Sequence, residues 1–406
     1  MDFIGHLRRF IHPNKICIAN NIFDLSTKAT LVIFAALSTL LTSYQYLGAP
    51  ILCVVDRFPV NVMQTYCWFY GTYTLPNSLL GDIGKHIIEP GVASEGSAPI
   101  KYHRYYQWVC LALFGNAIFS YLPRFLWKTV ENGRMKKLCA DLNNPTIGMD
   151  KIGAKKVDDK KGSDNKEGEN KEGENKEVDE KKGDDKPDDK KVDGNKRDSK
   201  KKVGIKEKRL SGITTYFTFY LNRHSSYAYY FFGCELLNFA IAIAQIYFTH
   251  LFLDGQFLNY GIDVMLNQKV KPMTQIFPKV TKCFFHKYGP SGGIQKYDAL
   301  CVLAINILNE KIYLFLWFWF VGIVFLSGIA LVYRAFVCCS AKIRLHLLIS
   351  FRARFAPRDD IEYILRHFDV ADWFVLYQMS KNIDSVIFEE ICHELKLMLE
   401  SDKKKS

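Results

Sequence analysis

The chain has 406 residues, of which 49% are hydrophobic and 14% aromatic, too many burial-competent side chains for a mostly disordered protein. Its formal charge is +12, and in its most charged stretch, 151–209, basic residues mix with acidic ones and lack the interleaved rings that stack nucleobases, which argues against a nucleic-acid partner. A mean hydropathy close to zero averages very apolar runs with one very polar tract.

Residues 1–28 open the chain. MDFIGHLRRFI puts Phe3, Ile4, Leu7, Phe10 and Ile11 at helical spacing and leaves Asp2, His6 and Arg9 for water. No continuous apolar run with a small-residue cleavage site follows, so a removable signal peptide is not expected.

Four runs then reach the roughly 20 helical residues that a bilayer core requires. They are 29–47, 106–127, 229–251 and 312–333. An even number of spans leaves both termini on one side. Lys28, Arg124, Lys128, Arg134, Lys136, Lys137, Arg223, Arg334, Lys342 and Arg344 flank the spans on that side, which the basic-residue rule makes cytoplasmic. Loops 48–105 and 252–311 are then extracellular, although the second also carries Lys279, Lys282 and Lys287.

In the first span Ser38, Thr42 and Gln45 recur at helical spacing, with Thr39 and Ser43 alongside. Such small polar residues serve either close helix packing or a pore wall. The second span opens with Tyr105, Tyr106, Gln107, Trp108 and Val109, whose rings suit headgroup depth and whose amide suits a bond to a neighbouring helix or loop. Pro123 near its inner end predicts a kink.

Between the second and third spans, 128–228 is a cytoplasmic loop containing a tract, 151–209, without a single aromatic residue. It holds 21 basic and 17 acidic residues. Such a composition cannot bury enough surface to offset chain entropy and predicts disorder. In the third span Glu235, with Asn238 at i+3, is either held by a hydrogen bond to a neighbouring helix or a pore or gating charge.

Two of the chain's 11 cysteines fall in each outer loop, Cys53 and Cys67, then Cys283 and Cys301. Oxidising surroundings make these a disulfide framework with three possible pairings. After the fourth span, Cys338 and Cys339 offer a juxtamembrane acylation site or plain thiols. In 334–406, Ile361, Ile364, Leu365 and Phe368, then Ile387, Phe388, Ile391 and Leu395, predict short helices in a cytoplasmic collar.

No catalytic constellation, metal set or cofactor motif competes, so an enzyme is not expected. GPSGG lacks the lysine and hydroxyl residue of a phosphate loop and reads as a turn, and no HExxH or paired CxxC occurs.

YYQWV followed by SYLPRFLWK resembles the signature of the innexins, the invertebrate gap-junction family. TSYQYLGAPILC, VMQTYCWFYGTYTLP, FFGCELLNFAIAIAQIYF, FPKVTKCFFHKYGPSGG, CVLAINILNEKIYLFLWFWF and DWFVLYQMSKNID extend the resemblance over nearly the whole chain. The tract at 151–209 departs from it. The resemblance implies an all-α membrane subunit that forms an octameric ring with like subunits in the plasma membrane and docks with a ring of the adjacent cell. It also implies passage of ions and small metabolites by diffusion, the pairings Cys53 with Cys301 and Cys67 with Cys283, and an N-terminal segment folded into the pore mouth. Candidate pore-lining residues are then Asp2, His6, Ser38, Thr42 and Gln45, and lipid is the surrounding partner. A non-junctional, pannexin-like channel is the alternative, ahead of a four-span adhesion or scaffold protein. Claudins confine their cysteine pair to one outer loop, tetraspanins crowd theirs into the second, and connexins use three per loop.

Overall fold

The computed structural model describes residues 16–56, 58–79, 84, 85, 87, 89–94, 99–139, 210–266, 272–351 and 356–405. Asp2, His6 and the charged tract 151–209 lie outside the described residues.

Four long apolar helices form the body: α1 (Asn21–Leu47), α3 (Val109–Glu131), α6 (Ser225–Phe252) and α9 (Ala304–Cys339). Each runs past the apolar window that the sequence marks. The extra turns carry Asp24, Lys28, Glu131 and Arg334, which find partners within the fold and so do not end their helices. Asn20 starts α1 by accepting the amide of Phe23 at 2.7 Å, and a π-helical turn at Leu25–Ala29 interrupts the regular winding before Thr30. Helix α3 continues through Pro123, which is buried and withholds a hydrogen bond from the Phe119 carbonyl.

Polar side chains join the four helices where lipid offers no hydrogen bonds. Gln245 of α6 donates to Asn116 O at 2.8 Å and Ser120 Oγ at 2.9 Å on α3. Trp319 of α9 donates to Thr30 Oγ1 on α1 at 3.1 Å, and Asn238 reaches Ser327 Oγ across α6 and α9 at 3.5 Å.

One end of the body carries a five-stranded antiparallel sheet with β1 (Leu52–Val54), β2 (Thr72–Thr74), β3 (Lys101–His103), β4 (Val280–Tyr288) and β5 (Ile294–Val302), in the order β1-β5-β4-β2-β3. Strands of the first loop thus flank the β4–β5 hairpin of the second on both sides. GPSGG forms the hairpin turn, with Gly292 at φ +77°, a conformation that a Cβ would strain. Short helices α2 (Val60–Tyr70), α7 (Phe257–Leu266) and α8 (Pro272–Ile276) pack beneath it.

The other end is helical: α4 (Arg134–Leu138), α5 (210–219), α10 (Ala341–Phe351), α11 (Arg358–His367), α12 (Val370–Ser380) and α13 (Ser385–Lys405). Its core gathers Trp127, Phe217, Phe231, Trp373, Phe374, Phe388, Ile391 and Leu395. Ile361, Ile364 and Phe368 are buried, while Leu365 and Ile387 pack partly buried against them. Asp360 ties α11 to α13 through Lys396 at 2.8 Å and His393 at 3.1 Å. Burial pushes its carboxyl up, but the hydrogen bonds from Lys396 and His393 outweigh it and hold the group below the usual carboxylate range.

Candidate functional site

The stapled end is built around two bonds. Cys53 and Cys301 face each other in the register of β1 and β5 and are bonded, with Cα atoms 4.0 Å apart. Cys67, on the last turns of α2, is bonded to Cys283 of β4 across 5.9 Å. Each bridge joins the first loop to the second, 248 and 216 residues apart in the chain. Together with the interleaved sheet, they make one body of two loops.

The YYQWV stretch serves that body. The last carbonyls of helix α2 accept side-chain donors from this stretch, beside the Gly71 amide that Cys67 O takes at 3.1 Å. Tyr106 donates its hydroxyl to Cys67 O at 3.2 Å, and Gln107 donates to Trp68 O at 2.5 Å and Phe69 O at 3.2 Å. Tyr105 bonds Ile276 O at 3.1 Å. Tyr106 is fully buried against Trp68, and Val109 is buried as well, whereas Trp108 is 58% exposed. The reading of all three rings as an interfacial belt is therefore corrected. Only Trp108 has the exposure a headgroup-level ring needs; Tyr106 walls the disulfide-bearing helix, and Tyr105 packs on Tyr106 and Phe277 and ties in the end of α8.

Around the hairpin, Phe58 packs on Phe285 and Tyr297, and Lys287 lies over the Phe58 and Tyr297 rings. Beyond the sheet the hairpin extends to an exposed tip, with Tyr288 76% and Ile294 71% accessible. Behind it, His103 of β3 is buried with its Nε2 2.7 Å from Thr74 Oγ1. Burial, reinforced by Lys101, pushes the imidazole down to about 4, so it is neutral at physiological pH.

The polar residues of α1 divide between two faces. Ser38 is buried and donates to Cys110 O on α3 at 2.9 Å, and Gln45 Oε1 accepts the Cys110 thiol at 3.4 Å. Thr42 turns its hydroxyl back to Ser38 O at 2.8 Å and is half-buried. Ser38 is thus covered by α3 of the same subunit, whereas Gln45, like Thr42, is only half-buried beside it. Thr39 and Ser43 stand on the exposed side of α1 instead.

Toward the helical end, Glu235 meets a partner that the sequence alone had placed beyond the membrane. Arg334 Nε and Nη2 each approach a Glu235 oxygen at 2.8 Å, in the two-pronged geometry that suits guanidinium and carboxylate. Asn20 donates to the same carboxylate at 2.6 Å. The guanidinium sits 5.4 Å, 4.9 Å and 5.4 Å from the ring centres of Phe231, Phe232 and Phe374. Glu235 is therefore held by bonds to a neighbouring helix, the first of the two readings its position allowed. Nearby, Asp24 pairs with Arg124 and, at 2.8 Å, with Lys28.

Two further clusters escaped the sequence reading. Asp372, fully buried on α12, accepts His224 Nδ1 at 2.6 Å and the Asn222 amide at 2.9 Å, while His224 Nε2 lies 3.1 Å from the Tyr216 hydroxyl. Asn382 holds the backbone of Cys17 from the far end of the chain. Both lie in or beside DWFVLYQMSKNID, so the motif pointed to the place but not to the contacts. Cys338 is half-buried and Cys339 exposed at the end of α9. Among the described residues, the one group of cysteines close enough to share a metal consists of Cys53, Cys67 and Cys301, all disulfide-bonded.

Comparison with known proteins places this architecture. The sequence model of the Innexin family matches residues 19–398. The chain is 42% identical to Innexin inx2 of Drosophila melanogaster, covering 99% of this chain and 97% of that protein. It is 43% identical to Innexin inx2 of Schistocerca americana, covering 98% of each, and 34% identical to Innexin shaking-B of Drosophila melanogaster, covering 97% of this chain and 94% of that one. With four apolar helices and disulfide-linked loops beside these matches, the chain belongs to the innexin family, the multi-pass plasma-membrane channel subunits of gap junctions.

Proposed function

We propose that eight copies of this subunit ring around a pore and that the stapled loop ends of two rings dock across the gap between adjacent cells. The observation that carries this is the disulfide-linked, interleaved sheet, since both bonds join the first loop to the second and leave a rigid hairpin tip in front. A surface that must mate with a copy of itself gains affinity from such preorganisation. The sheet end is then extracellular and the helical end, with both termini, cytoplasmic.

A single four-helix subunit has no room for a wide channel, so the pore lies between subunits. In this reading the exposed side of α1, with Thr39 and Ser43, contributes to the wall. Pro123 bends α3 toward the cytoplasmic mouth. The surrounding partner is membrane lipid, and ions and small metabolites pass by diffusion.

Dual voltage clamp of paired cells expressing only this chain tests the reading. Current between the cells is expected. Current confined to the unpaired membrane makes the protein a non-junctional channel, and no current in either arrangement removes the channel reading.

A further inference from the structure

Ile16–Asn20 is the strand through which the first fifteen residues connect to α1, and three different elements hold it. Asn382 Oδ1 accepts the Cys17 amide at 2.5 Å, and its Nδ2 donates to Cys17 O at 2.8 Å, so one side chain grips both polar groups of one residue 365 positions away. The same Nδ2 also donates to Gln378 O at 2.8 Å, which fixes the amide to the end of α12. Trp127 of α3, almost wholly buried, donates its indole N–H to Ile18 O at 3.0 Å. Asn20 then spends one side chain on two tasks, its oxygen starting α1 and its nitrogen bonding Glu235.

The C-terminal helices reach this segment directly at Cys17 and through intermediaries at Asn20. Asn382 follows α12 directly, while Phe374, within α12, lies against Arg334, the partner of Glu235. A displacement of α12 therefore acts on the Cys17 backbone and, through Arg334 and Glu235, on Asn20. Each contact at the strand is made to backbone or to a helix cap, so it specifies where the chain runs whatever side chains it carries.

We propose that Asn382 is a positioning residue through which the C-terminal helical unit sets the approach to the first span, and so the conducting state of the channel. This rests on the channel reading above. A rigid hold on both polar groups of Cys17 leaves the approach to α1 no freedom that α12 does not share.

The test uses the full chain in paired cells, with surface biotinylation beside junctional conductance. Asn382→Ala removes the grip, and conductance per surface-resident subunit is expected to fall about tenfold, the scale of two lost hydrogen bonds acting on a two-state equilibrium. Asn382→Cys is expected to show the same loss until a short bifunctional thiol reagent joins it to the native Cys17. Joining with a photocleavable bifunctional maleimide restores conductance and illumination removes it again without touching the disulfides, a reversal that a merely structural role would not produce; wild-type cells under the same treatment report the response of the native free thiols, Cys338 and Cys339 among them. Wild-type conductance from surface-resident Asn382→Ala overturns the proposal, as does indifference of Asn382→Cys to the joint. Retention of both variants inside the cell assigns the contact to folding and overturns it too. Absence of current from the wild-type chain is a failure of the channel reading and is read before either variant.

Discussion

At Glu235 and Arg334 the membrane-embedded charges are affordable only as a pair. Each is costly to desolvate, and the fork of two bonds with Asn20 and three surrounding rings repays the cost only while both remain. Glu235→Ala or Arg334→Ala leaves one buried charge unpaired and is expected to cost about 3–5 kcal/mol. The double replacement by leucine and methionine is expected to cost less than either single change, and thermal unfolding of detergent-purified protein measures all three. His103 makes a second residue-scale prediction. Its folded value, lowered from 6.5 to about 4, means that the unfolded chain takes up a proton first as pH falls. Stability from this group is therefore level above about pH 6.5 and lost between there and pH 4, by about 3 kcal/mol. His103→Gln removes that slope in a pH series of melting temperatures. Sequence marked Glu235 as a group needing a partner, but not which one. Arg334 sits one residue past the apolar window, 99 residues away, where a basic residue reads as a sidedness flag. No pattern along the chain distinguishes a flag from a buried counter-ion.

Helix α1 shows why periodicity locates an element more readily than it aims it. Ser38, Thr39, Thr42 and Ser43 put hydroxyls on more than one side, so spacing leaves two polar faces, and only the approach of α3 decides which is covered. The expected consequence is directional. Thr39→Cys and Ser43→Cys react with permeant thiol reagents and reduce junctional current, while Ser38→Cys does not; a reactive Ser38→Cys with silent neighbours reverses the assignment. The YYQWV stretch was legible as a helix start and its amide as a donor, but the targets were not. The carbonyls of α2 belong to a segment some 40 residues earlier, and sequence carries no trace of where a backbone oxygen points. Gln107→Ala leaves Trp68 O and Phe69 O without their side-chain donor and is expected to lower stability by about 1–3 kcal/mol, read as a lower melting temperature.

For the whole molecule, the four spans, the sulfur framework and the terminal helices were legible because each is written in composition and spacing. Four cysteines alone left three pairings open, and the interleaved sheet that selects one of them depends on first-loop strands of three residues, too short to show alternation. Replacing any one of Cys53, Cys67, Cys283 and Cys301 by serine opens a bridge and is expected to cost about 2–5 kcal/mol. Surface biotinylation should still find the protein in the membrane while paired-cell conductance is lost. Deletion of 151–209 removes nearly balanced charge and no aromatic residue. Junction assembly and conductance are expected to stay at wild-type levels, and a changed conductance assigns the tract a gating role.

The bridges also impose an order on biosynthesis. Cys53 and Cys67 leave the ribosome well before their mates, because 248 and 216 residues separate the partners. At about 5–20 residues per second, translation alone makes them wait roughly 10–50 s. Throughout that interval the nearest available thiol for each is the other, so oxidation that comes too early traps a wrong ring. Correct maturation thus depends on keeping the first pair reduced, or on a disulfide isomerase that can undo the early bond, until the final span is being threaded.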